Sequence, residues 1–179
     1  DADLTLEEDK SYTVFAVDQL ASIDAVVTED NRSTNNSKAK VRFAHLSPDA
    51  PAVDIRLNSG DGPAVFSNSA FKDVSDYIEV DGGTYTFAVT PAGSNAEVVV
   101  FAPVTVQNGT NYTVIANGTL NAADNYDFAA RVFVDNNPGD AFVDMTFGAR
   151  AMVVHASPDA PGVDLLLDDA ITGTNLEFP

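Results

Sequence analysis

The chain of 179 residues is 45% hydrophobic, contains no cysteine, and carries 27 acidic against 9 basic side chains for a formal charge of −18. This composition supports a folded core, while the charge disfavours nucleic acid and anionic membrane surfaces as partners. Without cysteine, disulfides, thiolate nucleophiles and cysteine-ligated metal sites are excluded, and no apolar run approaches the roughly 18 residues of a membrane span.

The first residues share a pattern with a later part of the chain. Residues 4–16 match residues 104–116 at an offset of 100, through Leu-Thr-Leu against Val-Thr-Val and a common Tyr-Thr-Val. Residues 1–30 are therefore interpreted as the C-terminal part of a preceding repeat. Residues 31–38 (NRSTNNSK) are polar, small and without periodicity, which is typical of a linker.

A complete repeat is predicted over residues 39–149. Its hydrophobic pattern has a period of two, as in residues 84–90 (TYTFAVT), and this alternation is typical of half-buried strands. Short strands separated by Gly, Asn and Pro turns predict an all-β fold, an antiparallel sandwich of immunoglobulin-like architecture. The predicted strands are 40–46, 52–57, 76–80, 84–90, 97–106, 111–117, 128–135, 141–147 and 150–155.

The N-terminal part of a following repeat is predicted over residues 150–179. Residues 45–57 read HLSPDAPAVDIRL and residues 155–167 read HASPDAPGVDLLL, with nine of thirteen identities at an offset of 110. The chain is thus predicted to hold the tail of one repeat, a complete repeat and the head of a third.

These motifs resemble a known family. The run His-x-Ser-Pro-Asp-Ala-Pro-x-Val-Asp, the SDYIEV stretch at 75–80 and the GTYTF strand at 83–87 are similar to secreted prokaryotic immunoglobulin-like β-sandwich repeats of unknown function. The resemblance implies export and an extracellular or cell-surface location. It implies no reaction, since none is established for that family.

The repeated turn contains histidine, serine and aspartate, the residue types of a catalytic triad. Ser-Pro-Asp-Ala is typical of a type I turn, and triad members normally converge from separated segments. A structural histidine that hydrogen-bonds the turn is therefore favoured, with a ligand or cation site and catalysis as alternatives. The turn residues are His45, Ser47, Pro48, Asp49 and Pro51, and His155, Ser157, Pro158, Asp159 and Pro161.

The acidic side chains could supply oxygen ligands to Ca²⁺, and Asp54 and Asp164 are the candidates at repeated positions. No EF-hand spacing or glycine-rich nonapeptide accompanies them. A solvated acidic surface is the favoured interpretation, so no cofactor is expected and calcium between repeats is the alternative.

Asparagine sequons offer a further candidate modification. Glycans on them would require exposed loops and an organism with the machinery. The five Asn-x-Ser/Thr sites are Asn31, Asn35, Asn108, Asn111 and Asn117.

The incomplete repeats at both ends lead to the functional expectation. Two or three strands alone expose unpaired main-chain groups and an apolar face, so something must cover them. Either a longer polypeptide supplies the missing strands, or residues 1–30 of one subunit complete residues 150–179 of the next in a head-to-tail homopolymer.

We therefore expect a non-enzymatic, extracellular structural protein, a β-sandwich subunit of a cell-surface fibre or stalk. The alternative is an adhesion or ligand-binding module that recognises a cation, glycan or surface polymer through loops at one end of the sandwich.

Overall fold

The structure is a computed structural model. It describes residues 5–101, 103–121 and 128–136, and the backbone of four strands within residues 142–176. In these parts of the chain there are sixteen strands and one 3₁₀ turn, Leu20–Ser22. The strands are β1 (Ser11–Val17), β2 (Asp24–Glu29), β3 (Ala39–His45), β4 (Val53–Leu57), β5 (Ala64–Ser69), β6 (Ile78–Val80), β7 (Gly83–Tyr85), β8 (Phe87–Pro91), β9 (Val99–Val100), β10 (Val104–Val106), β11 (Asn111–Asn117), β12 (Ala129–Val134), β13 (Phe142–Asp144), β14 (Arg150–His155), β15 (Val163–Leu167) and β16 (Ala170–Leu176).

Three four-stranded sheets organise the fold, and each is named here by its strands. The central sheet is β12-β11-β3-β6, the outer sheet is β5-β4-β8-β9, and the terminal sheet is β13-β14-β1-β2. Two-stranded ladders join β10 to β7 and β15 to β16. The predicted all-β sandwich class is confirmed, and no helix in the described residues is long and apolar enough to cross a bilayer.

Two strand pairs in the described parts of the chain are parallel, which the expectation of an antiparallel sandwich did not include. β11 runs parallel to β3 from Asn111↔Lys40 to Ala116↔His45, and every other pair in the central sheet is antiparallel. β1 runs parallel to β14 from Ser11↔Arg150 to Ala16↔His155. Parallel neighbours require a long connection, and the hairpins of the outer sheet provide it between β3 and β11.

The two parallel ladders have the same register once the repeat offsets are applied. Adding 110 to Lys40 gives Arg150 and subtracting 100 from Asn111 gives Ser11, so Ser11↔Arg150 corresponds to Asn111↔Lys40. The strand before the complete unit and the strand after it thus pair with each other inside one chain. This is a third way of covering the incomplete ends, besides the two considered from the sequence.

The main core lies between the central and outer sheets. Val41 and Phe43 of the central sheet meet Ile55, Phe66 and Val89 of the outer sheet in one buried cluster. The rings of Phe43 and Phe66 stack with centroids 6.0 Å apart. These positions alternate along their strands, as a half-buried strand requires.

A second core covers the other face of the central sheet. Phe15 and Val17 of β1 pack with Ala44, Leu46 and Ile115, and all five are 0% exposed. Because its two faces are both covered, β3 has six buried residues out of seven. The terminal sheet therefore packs against the central sheet through β1.

The strand boundaries differ from the sequence prediction where the chain changes sheets. The predicted strand 97–106 is divided into β9, which pairs with β8, and β10, which pairs with β7. Pro103 lies between them and cannot donate a ladder hydrogen bond. The predicted strand 84–90 is divided likewise, into β7 and β8. β5 was not predicted, because it is an edge strand with register shifts in its pairing to β4, and its apolar and polar residues do not alternate regularly.

Candidate functional site

Five buried polar side chains lie between the terminal and central sheets and are called the junction here: Thr13, Asp30, Arg42, Thr113 and Asp135. They are between 0 and 6% exposed. Arg42 lies on the β3 face that meets the terminal sheet, and it is the one buried lysine or arginine among the described residues. The two aspartates come directly after β2 and β12, so each strand ends at the junction.

Arg42 contacts both sheets at once. Its Nε donates to Thr113 Oγ1 at 2.8 Å, and its Nη2 donates to Asp30 Oδ1. Its Nη1 donates to Thr28 Oγ1 at 3.0 Å. The guanidinium also lies 4.7 Å from the centroid of the Tyr77 ring, a favourable cation–π distance. The planar fork of arginine suits this set of divergent acceptors better than a lysine ammonium would.

Two threonine–aspartate pairs flank the arginine. The Thr13 hydroxyl lies 2.8 and 2.9 Å from the two Asp30 oxygens, and the Thr113 hydroxyl lies at the same distances from those of Asp135. Each hydroxyl donates to its carboxylate while it accepts from Arg42. Thr13 and Thr113 correspond at the offset of 100, and each aspartate directly follows the strand that pairs with its threonine's strand. One cation therefore sits between two equivalent acceptor pairs.

The surroundings of Asp135 in the junction shift the pKa of its carboxyl group. Burial raises the pKa of Asp135 to about 6, although Arg42 and the hydrogen bonds from Thr113 and Tyr77 favour its ionised form. The carboxylate of Asp30 also raises this pKa. Burial and the neighbouring Asp135 in turn raise the pKa of Tyr77. One arginine therefore does not fully compensate two buried carboxyl groups.

The junction was not predicted from the sequence. Two signals of the junction were present in the sequence. One is the charged residue within the apolar run VRFAH, and the other is the Asp-Asn pair that follows both β2 and β12. Their meaning depends on which sheet faces which, and a period of two does not specify that. The junction holds two sheets in one relative position and has no solvent-exposed reacting group.

The first copy of the repeated turn is internally hydrogen-bonded. His45 is 0% exposed, and its Nε2 lies 3.1 Å from the Pro51 carbonyl, which fits the tautomer with the proton on Nε2. Burial lowers the pKa of His45. The Ser47 hydroxyl donates to Asp49 at 3.4 Å. Because Nε2 is committed to Pro51, this nitrogen does not accept a proton from Ser47.

The turn is tied to the end of β11 through Asp49. The Asp49 carboxylate accepts hydrogen bonds from the backbone N–H of Leu120 at 2.9 Å and of Asn121 at 3.0 Å. Pro48 begins the turn beside it. In the second copy, His155 is described only by its backbone in β14, and Ser157, Pro158, Asp159 and Pro161 lie outside the described residues.

Most of the chain matches a known protein family. Residues 1–56 and 59–144 match the domain of unknown function DUF4397. The chain belongs to this family. No curated protein matches the chain. The DUF4397 match includes all five junction residues and the first copy of the repeated turn.

Asp54, the candidate calcium ligand within the DUF4397 match, is surrounded by hydrogen-bond donors. Asp54 accepts hydrogen bonds from the N–H of Asn68 at 2.8 Å and of Gly93 at 3.1 Å, and from Arg56 at 3.1 Å. Burial alone would raise the pKa of Asp54, but these donors outweigh it and lower the pKa. Asp164 is described only by the backbone of β15. No group of three or more metal-ligating side chains occurs in the described part of the chain.

The five sequons of this DUF4397 chain differ in accessibility. Asn31 and Asn108 are exposed and Asn35 is half-buried. Asn111 and Asn117 lie in β11 at 1% and 0% exposure, and the Asn111 amide donates to the Asn31 carbonyl at 2.6 Å. A glycan cannot be accommodated at these last two positions in the folded chain.

Proposed function

We propose that this chain is a non-enzymatic structural module of an extracellular fibre or cell-surface stalk, in which β-sandwich repeats are completed by strands from neighbouring repeats. The observation that carries the proposal is the parallel pairing of β1 with β14 in the register of β11 with β3. This pairing supports a repeat that is assembled from one segment before residues 39–149, which contains β1, and one segment after them, which contains β14.

The position of these two strands explains how an array would form. β1 precedes the complete unit and β14 follows it, so the same ladder made between two molecules would join the end of one to the start of the next. Two different surfaces meet in such a contact, and a contact of this kind continues into a filament unless it closes. Main-chain hydrogen bonds along an added strand would supply much of its strength.

The packing of the central sheet supports a mechanical role in a fibre or stalk. It is covered on both faces by apolar clusters, and the junction adds directional hydrogen bonds between the terminal and central sheets. A buried polar network of this kind fixes one relative orientation more narrowly than apolar packing alone. Successive units in a stalk would then be held at a defined angle.

The interactions of the repeated turn favour a structural role over a catalytic one. His45, Ser47 and Asp49 direct their hydrogen bonds to the turn itself and to the end of β11. The motif would thus stabilise the end of each sandwich. The alternative expected from the sequence, recognition of a cation, glycan or surface polymer through loops at one end of the sandwich, stays a prediction.

The test combines solution and native measurements. We expect light scattering of the purified chain to show head-to-tail oligomers that grow with concentration, and growth with salt, because a charge of −18 opposes association and is screened. Immunogold electron microscopy of native cells should label surface fibres. A monodisperse monomer at high concentration and salt, with unlabelled cell surfaces, would refute the proposal.

A further inference from the structure

An apolar cavity of about 270 Å³ lies inside the complete unit, between the central and outer sheets. Phenylalanine rings from both sheets line it, together with valines of β11 and β12. Among the lining residues are Phe43, Phe66, Phe87, Phe101, Val114 and Val132. Protein interiors are normally packed without voids of this size, so the cavity needs an explanation.

The cavity reaches the surface beside β12. Val132 lines it and is also 39% exposed, and Phe101 and Pro103 line it just after β9. β9 and β12 are the edge strands of their sheets, and Pro103, which lines the cavity just after β9, is exposed. Apolar side chains therefore continue from the cavity to the rim between these two edges, which provides a route of entry.

The lining determines the chemistry of an occupant. The described lining residues are all Val, Ile, Phe, Ala or Pro, so the side chains offer no hydrogen bond to water, and a water molecule needs two to four polar partners. The formal charge of −18 disfavours an anionic molecule such as a fatty acid. An apolar cavity of about 150 Å³ accepts benzene, so this one has room for about ten non-hydrogen atoms.

We propose that this cavity binds a neutral apolar molecule of about that size, a bicyclic aromatic or a comparable hydrocarbon. Burial of the ligand between the two sheets would replace the contacts that the cavity wall lacks. This site is separate from the junction and from the β1–β14 ladder, so it does not depend on the structural function proposed above.

The probe is 1-fluoronaphthalene, followed by ¹⁹F NMR with the full chain and displaced by unlabelled naphthalene. We expect a saturable shift of the probe resonance, intermolecular NOEs to the lining Phe and Val protons, and a higher melting temperature of the protein with probe. The proposal is overturned if the probe resonance shows no saturable shift, or if the NOEs connect the probe to residues outside the cavity lining.

Two filling variants locate the site. Ala116→Leu and Ala130→Leu each extend a side chain from the cavity wall, and we expect each to weaken probe binding at least tenfold. Ala64→Leu, at an exposed position of β5, is the matched control and should bind like the wild type. Wild-type affinity in a folded filling variant contradicts the assignment. If neither variant folds, the NOEs of the wild type decide.

Discussion

At the scale of single residues, Arg42 carries the contact between the terminal and central sheets. It is 1% exposed and its hydrogen bonds end on side chains of β1, β2 and β11 and on Asp30. Removal of one partner of a buried ion pair is costly because the other charge is left without compensation, whatever the net value of the intact pair. Arg42 is therefore the position where a single change should separate these sheets.

We predict that Arg42→Met lowers the free energy of unfolding by about 3–5 kcal/mol, the usual cost of an uncompensated buried charge. Adding Asp30→Asn should return part of that loss. Guanidinium unfolding followed by circular dichroism measures both. Lys40→Met is the matched control, because Lys40 lies two residues away and bonds exposed groups near the linker. An equal loss in the control would contradict the assigned role.

The second prediction concerns the pH dependence of stability. The pKa of Asp135 is raised to about 6 in the folded chain from 3.8, so the native state binds more protons than the unfolded state between these values. Its contribution to stability therefore increases as the pH falls from 7 towards 4. We expect the free energy of unfolding of the wild type, relative to Asp135→Asn, to rise by about 1–1.5 kcal/mol from pH 7 to pH 5.

The comparison with Asp135→Asn is needed because His45 acts in the opposite direction. Its pKa is lowered by burial, so the unfolded chain takes up a proton first on acidification and stability falls. This contribution is common to both proteins and cancels in the difference. A difference that stays constant from pH 7 to pH 5, from urea unfolding at each pH, would show that Asp135 titrates normally.

The sequence predicted part of the candidate site and missed the rest for an identifiable reason. The turn from His45 to Pro51 follows from local chemistry, because proline and aspartate specify a turn without reference to distant strands. The junction requires that β1 and β3, which lie on either side of the linker, face each other. That information is not local, and Arg42 in isolation resembles any strand residue that reaches solvent.

At the scale of elements, the repeated turn connects the C-terminal end of β3 to the segment that follows β11. Asp49 accepts from two consecutive backbone N–H groups after β11, while His45 fixes the path of the chain from β3 to the turn. Because β3 and β11 are parallel neighbours, their C-terminal ends lie together, and a single carboxylate can cap this end of the sheet.

We predict that Asp49→Ala lowers the free energy of unfolding by about 0.5–1.5 kcal/mol, the usual net contribution of a hydrogen bond, because water can replace the lost acceptor at these exposed N–H groups. Amide hydrogen exchange at Leu120 and Asn121 should accelerate in the variant, whereas exchange in β8 should change little. Asp61→Ala removes an exposed carboxylate whose partner is the Asn95 amide and is the matched control. Unchanged exchange at both amides would contradict the capping role.

The strands themselves were largely predictable, and the departures have physical causes. β3, β4, β11 and β12 were anticipated within one or two residues because alternating apolar residues and Gly or Asn turns mark them. The division of 97–106 follows from Pro103 and from pairing of its halves with different strands. β5 combines polar residues with an edge position, so its sequence does not resemble a half-buried strand.

At the scale of the whole molecule, the terminal sheet is assembled from both ends of the described chain. β13 occupies the place beside β14 that β6 holds beside β3, so a strand of the complete unit contributes to the sheet formed by its neighbours. An array of the repeats predicted from the sequence would share strands between neighbours if it were built in this way. The choice of partner for β1 was not predictable, since either β14 or an external strand satisfies its exposed edge.

The proposed function rests on the pairing of β1 with β14 in the register of β11 with β3, within one molecule or between molecules. Because the chain has no cysteine, engineered thiols report this directly. Ser11 and Arg150 are register partners, and adjacent strands lie within disulfide range. Ala16→Cys with Arg150→Cys is displaced by five residues, about 16 Å along the strand, and is the register control.

The deciding measurement is disulfide formation, scored on non-reducing gels, in the Ser11→Cys/Arg150→Cys variant and in an equimolar mixture of the two single variants. We predict an efficient intramolecular bond in the double variant, a mixed dimer between the single variants at high concentration, and little product from the register control. Absence of both the intramolecular bond and the mixed dimer, or equal bonding in the register control, would contradict the account.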